Sequence, residues 1–279
     1  MTPYERRHTI LQRRELCPGT VFFRISAPLV ARKIEAGQFV IVRPNTGSER
    51  MPLSIAGWDR EAGTLDLVIM GVGVTSLEAT DKELGDAFSD VVGPLGRRSH
   101  VAREEGTSVV IGGGYGTGAV IPTARDLRAL GNRVVGIVGA RRADLLIMVE
   151  QLSEACDEVL LTTNDGSAGT EGFVTHALAQ LIEVENVSSV LAVGPVPMME
   201  AVTRMCEQAE VPCQVSLNAI MLDGTGMCGA CRVSVGGETR FACVHGPDFD
   251  GAGVDFEELR VRQRMFAAQE EEARRCRCG

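Results

Sequence analysis

TSVVIGGGYGTGAVIPTARDLRALGNRVVGIVGARR, residues 107–142, carries the pattern that sets the fold class. Ser108–Ile111 is an apolar, mostly β-branched run, and Gly112-Gly113-Gly114-Tyr115-Gly116-Thr117-Gly118 breaks it. A helical stretch follows from about Ala119 to Leu130 and stops at Gly131, a residue suited to the position just past a helix end. Arg133–Val138 then reads as a second strand. Strand, glycine turn, helix and strand make the repeating unit of a parallel doubly wound sheet. Further strands at Glu158–Thr163, Ser189–Val193 and Gln214–Leu217, with helices between them, continue the same sheet.

The glycine turn has chemical as well as architectural meaning. A strand that ends where a helix begins gathers backbone N–H groups at the positive end of a helix dipole, where a pyrophosphate can sit. Gly112, Gly113, Gly114, Gly116 and Thr117 are the candidate contacts; a tight turn without a ligand is the alternative. No acidic residue ends the second strand. Gly139-Ala140-Arg141-Arg142 stands there, and Arg141 suits either a 2′-phosphate or a solvated helix entry, which leaves NAD and NADP both open. Two more loops lie at strand C-termini. Thr162–Ser167 offers Asp165 among ribose-binding groups. Gly194-Pro195-Val196-Pro197-Met198-Met199 opens a helix with Pro197 in its first turn, and Gly194, Pro195 and Met198 join the candidate contacts, although methionines there equally suit helix core.

Working outward, residues 1–103 change rhythm. Val21–Ile25, Phe39–Arg43 and Thr64–Met70 are short strands parted by Pro18-Gly19, Ala36-Gly37 and Ala62-Gly63, the pattern of a small antiparallel β-barrel. One helix interrupts it, from Gly73-Val74-Thr75-Ser76 to about Leu84. The expected organisation is a barrel over 1–103, a nucleotide-binding α/β domain over 104–215, a glycine- and cysteine-rich subdomain over 216–252, and a charged helical tail over 253–279.

Composition narrows the class. With 279 residues, 44% hydrophobic and 23% charged, the chain suits about two globular domains. A net charge of −9 argues against nucleic acid or anionic lipid as a main partner. No apolar run reaches the roughly 18 residues of a membrane span. MTPYERRHTI lacks a signal-peptide core, so the nine cysteines read as metal ligands or free thiols and the expected compartment is the cytoplasm.

Three of those cysteines form a pattern. In DGTGMCGACRVSVGGETRFACVHGPDFD, residues 223–250, Asp223, Cys228, Cys231 and Cys243 read D-x4-C-x2-C-x11-C. Plant-type [2Fe–2S] ligation uses C-x4-C-x2-C and a later cysteine; here a carboxylate replaces the first thiolate. Gly236-Gly237 predicts a tight hairpin that pairs Val235 with Glu238 and brings Cys243 beside Cys231. Zinc held by three Cys and one Asp is an alternative. So is a site in which Asp223 serves only as a turn residue. Cys17, Cys156, Cys206, Cys213, Cys276 and Cys278 receive no role. Among the histidines, only His245 stands near enough in sequence to support the cluster.

Two barrel motifs connect these signals to a family. Arg50-Met51-Pro52-Leu53-Ser54-Ile55 and Gly71-Val72-Gly73-Val74-Thr75-Ser76, placed before a nucleotide domain, resemble the ferredoxin–NADP reductase superfamily. The resemblance implies FAD held by Arg50, Pro52, Leu53, Ser54 and Ile55, with its pyrophosphate at Gly73, Thr75 and Ser76. Gly37-Gln38-Phe39 and Gly93-Pro94-Leu95-Gly96 look like the same barrel. RMPLSI, VVGPLG, GGGYGTG, GARRADLLI, TTNDGS, GPVPMMEAV and SLNAIMLDGTGMCGACR extend the likeness over nearly the whole chain. Within the superfamily they resemble the small subunit of NADH-dependent reduced ferredoxin:NADP oxidoreductase, also called the sulfide dehydrogenase β subunit. That family ligates [2Fe–2S] through one Asp and three Cys, which falls on Asp223, Cys228, Cys231 and Cys243. The sister family, the electron-transfer subunit of dihydroorotate dehydrogenase B, shares the layout but typically has four cysteines; Asp223, and Val193 before Gly194, favour the first.

The resemblance implies hydride exchange between NAD(H) and flavin N5, with no essential acid–base residue. Single electrons would then run through the cluster to a larger FAD and [4Fe–4S] subunit that bifurcates electrons between ferredoxin and NADP. Two departures stand out. Arg50 is one residue further from Pro52 than in many superfamily sequences, and Gly118-Ala119 replaces a common Ala-Pro.

Overall fold

A computed structural model describes residues 7–278. The first part contains β1 (Ile10–Cys17), β2 (Thr20–Ser26), the single turn α1 (Pro28–Ala31), β3 (Phe39–Arg43), β4 (Met51–Asp59), β5 (Thr64–Met70), α2 (Val74–Thr80) and β6 (Asp90–Leu95). Its strands run in the order β1-β2-β5-β4-β3-β6, all antiparallel. The two edges meet where Thr9 bridges Ala87 and Phe88 N–H reaches the His8 carbonyl, which closes the sheet on itself. Alternation does the rest: Phe23, Ile25, Leu65 and Leu67 turn inward and are fully buried, with Phe23 edge-on to Phe88 at 5.8 Å.

Two details differ from the sequence expectation. β1 is a strand that the pattern did not reveal, because it is an edge with half of its residues exposed and only Ile10 buried. The helix after Gly73 ends at Thr80 and does not reach Leu84. Arg13 from β1 explains the stop: its guanidinium takes the Thr80 and Lys82 carbonyls at 3.0 and 2.9 Å, satisfying backbone acceptors that a longer helix would have used.

The second part contains β7 (Thr107–Gly113), α3 (Gly116–Ala129), β8 (Arg133–Ala140), α4 (Val149–Ala155), β9 (Glu158–Thr163), β10 (Thr170–Glu171), α5 (Val174–Val184), β11 (Val187–Val193), α6 (Val196–Gln208) and β12 (Cys213–Ser216). Last come β13 (Arg232–Val235), β14 (Glu238–Phe241), the one-turn α7 (Ala242–His245), β15 (Asp248–Asp250), α8 (Phe256–Gln263) and α9 (Ala267–Cys278). The second sheet has the order β10-β9-β8-β7-β11-β12-β15 and is parallel except at β15. Its central strand β7 is buried at every residue, as a strand covered on both faces must be. Chain order reverses between β7 and β11, so the turns after these two strands flank the switch point where open α/β sheets bind ligands.

β15 was also not foreseen. It ties the cysteine-rich segment to the parallel sheet through β12. One hydrophobic core accordingly contains Val190 and Val215 of the sheet, Cys231, Val233 and Cys243 of the last segment, and Phe39 and Ile41 of the barrel. A separate seam packs Phe22, Ala56 and Val68 of the barrel against Val120 and Ala124 of α3. Barrel, sheet and cysteine hairpin are thus held by shared apolar burial. No helix among the described residues is long and apolar enough to cross a membrane.

Candidate functional site

The cysteine segment folds as its spacing demands. Gly236 and Gly237 both adopt positive φ, 61° and 76°, the backbone that a two-residue hairpin turn needs. Val235 then pairs with Glu238 and Arg232 with Phe241, and Ala242 N–H donates to the Cys231 carbonyl at 3.0 Å. One turn of helix, α7, lifts Cys243 beside Cys231, and the two sulfurs lie 3.1 Å apart, both buried. Burial first, then the neighbouring Cys231 thiol, pushes the Cys243 thiol up to about 12, while the Gly226 N–H pulls the other way.

Asp223 and Cys228 stand on the loop before the hairpin. The Asp223 carboxylate accepts from Thr225 N–H at 2.7 Å and Cys228 N–H at 2.9 Å. These bonds, with the Cys228 thiol also in reach, hold it below the usual carboxylate range. The Asp223 charge in turn reaches Cys243 and raises that thiol. Cys228 is exposed, as is Met227 beside it. The structure therefore pairs Cys231 with Cys243 and Asp223 with Cys228. It gathers no group of three or more His, Cys, Asp or Glu at one metal-binding point among the described residues. The donor set fits an iron–sulfur cluster. Two buried sulfurs are in contact, a third is exposed on the preceding loop, a backbone N–H points at sulfur, and a carboxylate oxygen keeps lone pairs beyond its two N–H bonds. His245 turns elsewhere: its Nδ1 accepts from Phe241 N–H at 2.9 Å and its ring stacks on Phe241.

At the switch point, the glycine turn runs from β7 into α3. No side chain caps α3, and no acidic residue lies in its first turn, so its N-terminus stays available to an anion. The Thr117 hydroxyl is buried without a protein partner but faces inward over Gly112. Met198 packs its sulfur against Gly113 and Gly194, which makes it a brace between the two switch-point loops. Pro195 caps α6, is exposed, and touches the same Gly113 position. Arg141 is exposed just past β8. Asp165 is engaged locally, bonded to the Ser167 hydroxyl and N–H at 2.6 and 3.0 Å.

On the barrel, Arg50 and Ser54 are exposed while Pro52 and Leu53 are half-buried along β4. Ser54 and Ile55 line a narrow crevice against Ala119 and Thr123 of α3 and Val193 of β11. Ser76 is used by its own turn: its hydroxyl accepts from Val72 and Gly73 N–H at 2.8 and 2.9 Å and donates to the Gly73 carbonyl. Replacing Ser76 with alanine leaves those N–H groups unpaired and should cost about 1–3 kcal/mol. Thermal denaturation checks this, with Ser76→Thr restoring most of the loss.

Sequence reading did not single out Ser99, Thr123 or Asp248, which line the same crevice. Only the fold brings Ser99 to Asp248, and no local spacing signals it.

These features define a class: an electron-transfer protein with a ferredoxin reductase-like fold and an iron–sulfur segment. Residues 218–255 match the iron-sulfur cluster binding domain of dihydroorotate dehydrogenase B. A Thermotoga maritima protein, a dihydroorotate dehydrogenase B (NAD(+)) electron transfer subunit homolog, is 42% identical over 94% of this chain and 92% of its own length. A probable electron transfer subunit of the same enzyme from Methanopyrus kandleri is 32% identical over 86% of this chain and 88% of its own. The chain belongs to this family of electron-transfer subunits. A chain in a solved structure of NADH-dependent reduced ferredoxin–NADP oxidoreductase, a study of flavin-based electron bifurcation, is 39% identical with a TM-score of 0.92, each covered over 98% of its length. The cofactor set read from the sequence, FAD, an iron–sulfur cluster and NAD(H), agrees with this family and fold.

Proposed function

We propose that this chain is the small subunit of an NADH-dependent reduced ferredoxin:NADP oxidoreductase, relaying electrons between NAD(H) and a larger flavin and iron–sulfur subunit. The observation that carries this reading is the donor set: Asp223, at the first position of the plant-type ligand spacing, accepts Cys228 N–H at 2.9 Å on the loop that leads into the Cys231–Cys243 pair. The similarity to a bifurcating reductase over 98% of both chains supports it. Electron transfer within a dihydroorotate dehydrogenase B complex is the second reading, favoured by the names of the curated relatives.

FAD supplies two-electron hydride chemistry and a [2Fe–2S] cluster supplies single-electron transfer. The protein's part is placement. Arg50, Pro52, Leu53, Ser54 and Ile55 form the flavin-bearing strand, and the Gly73–Ser76 turn, with Thr75, receives the diphosphate. Gly112, Gly113, Gly114, Gly116 and Thr117 shape the nucleotide turn, braced by Gly194, Pro195 and Met198. Arg141 and Asp165 stand at the ribose end. Asp223, Cys228, Cys231 and Cys243 hold the cluster. No side chain is needed to move a proton during the hydride step.

Asp223→Cys tests the donor set. The variant should keep a cluster with a shifted midpoint potential; a redox titration identical to wild type would show that the carboxylate is not a ligand. Co-purification separates the two readings. A partner carrying FAD and [4Fe–4S] is expected, and an FMN protein oxidising dihydroorotate would replace the first reading with the second.

A further inference from the structure

Three arginines converge on the cysteine segment from three parts of the fold. Arg97, in the link between barrel and sheet, donates its Nε–H to the Val244 carbonyl at 3.2 Å. Arg232, at the start of β13, gives an N–H to the Gly229 carbonyl at 3.2 Å. Arg262, in the last turn of α8, gives one to the Ala230 carbonyl at 3.0 Å. Gly229 and Ala230 separate Cys228 from Cys231, and Val244 follows Cys243. Each of the three cysteines therefore has a sequence neighbour whose carbonyl holds a guanidinium.

Elsewhere the chain sets arginines against acids: Arg24 with Asp66, Arg43 with Asp90 and Arg133 with Glu185. Arg98 and Arg260, close in sequence to the first and last of the three, pair with Glu35 and Glu200. Arg97, Arg232 and Arg262 bond carbonyls instead, and none of them forms an ion pair among the described residues. Bracing a loop needs only an N–H, which a neutral side chain can give. Three full positive charges, in a chain of net charge −9, suit a segment that holds an anion. A diferric [2Fe–2S] core bound by three thiolates and one carboxylate is a dianion, and one added electron makes it a trianion.

We propose that Arg97, Arg232 and Arg262 are positioning residues that raise the reduction potential of the cluster, their charges stabilising its reduced form more than its oxidised form. The proposal rests on the assignment of the cluster to Asp223, Cys228, Cys231 and Cys243. In the step concerned, one electron arrives and one ferric iron becomes ferrous; no bond to the protein forms or breaks. A fixed cation nearby favours the added negative charge by Coulomb attraction. Arg97 and Arg232 are exposed, where water and salt screen them, whereas Arg262 is half-buried. Arg262 therefore has the largest effect of the three.

The test is a dithionite titration of the anaerobically purified full chain, followed by the electron paramagnetic resonance of the reduced cluster, with iron content measured alongside. Wild type is compared with Arg262→Gln and Arg262→Lys. Glutamine keeps an N–H for the Ala230 carbonyl and removes the charge; lysine keeps the charge. Arg262→Gln should lower the equilibrium constant for reduction roughly tenfold, a fall of about 59 mV for a one-electron couple, at unchanged iron content. Arg262→Lys should stay near wild type. An Arg262→Gln potential equal to wild type at full iron would overturn the proposal. So would equal falls in the glutamine and lysine variants, which a bracing role alone would produce. Should Arg262→Gln bind no iron, the double variant Arg97→Gln, Arg232→Gln decides: a lowered potential supports the proposal and the wild-type potential overturns it. A wild-type chain devoid of iron and sulfide would overturn the cluster assignment as well, whereas unmoved potentials in iron-replete protein overturn the proposal alone.

Discussion

Replacing Cys243 with alanine will remove the cluster while leaving reduction by NADH intact. The Cys243 sulfur lies 3.1 Å from Cys231, buried in the core that joins hairpin and sheet. No other cysteine of the segment can substitute for it, since Cys228 sits on the opposite, exposed arm. Removing even an outer-shell partner of a metal ligand typically costs about 10–100-fold in affinity or activity, so loss of a ligand should exceed about 100-fold. Iron analysis should find the variant essentially empty. Electron delivery to the partner subunit should fall by at least the same factor, while bleaching of flavin absorbance by NADH stays near wild type. The variant should still fold, because alanine keeps the apolar contacts of α7. Iron at wild-type levels would remove Cys243 from the ligand set.

The second large effect is expected at Gly116. A Cβ there would sit 2.1 Å from the Val193 carbonyl oxygen and 2.7 Å from its carbon. Both belong to backbone at the end of β11, so no side chain can swing aside. Gly116→Ala must push α3 away from β11 at the switch point, at the upper end of the roughly 1–3 kcal/mol that overpacking costs, or beyond it. In a chain of this size that lowers the melting temperature by about 6–12 °C, taking roughly 2–4 °C per kcal/mol. Nucleotide binding should weaken with it, since the same shift displaces the turn. Calorimetry with and without NADH checks both; a variant with unchanged melting and affinity would show that this approach is not what the turn requires.

The parallel sheet was legible because its signals are local. β-branched runs, the Gly112–Gly118 turn and Gly131 each have a direct backbone meaning, and β9 falls where the run at Glu158–Thr163 places it. The hairpin was legible for the same reason, with Gly236-Gly237 fixing the register that sets Cys243 beside Cys231. What stayed hidden depends on distant partners. β1 buries only Ile10 and exposes half of its residues, so its alternation carries little hydrophobic contrast. α2 stops early because Arg13, far away in sequence, takes its carbonyls. β15 is three residues long and exists through its pairing with β12. In the site, spacing identified Cys231 and Cys243 as neighbours. It could not show that Asp223 also accepts the N–H groups of its own loop, or that Ser99 and Asp248 meet across the crevice.

Metal, sulfide and flavin analysis of the anaerobically purified chain bears most directly on the account. One FAD with two irons and two acid-labile sulfides per chain is the predicted result. A colourless protein that yields zinc and no iron would contradict it.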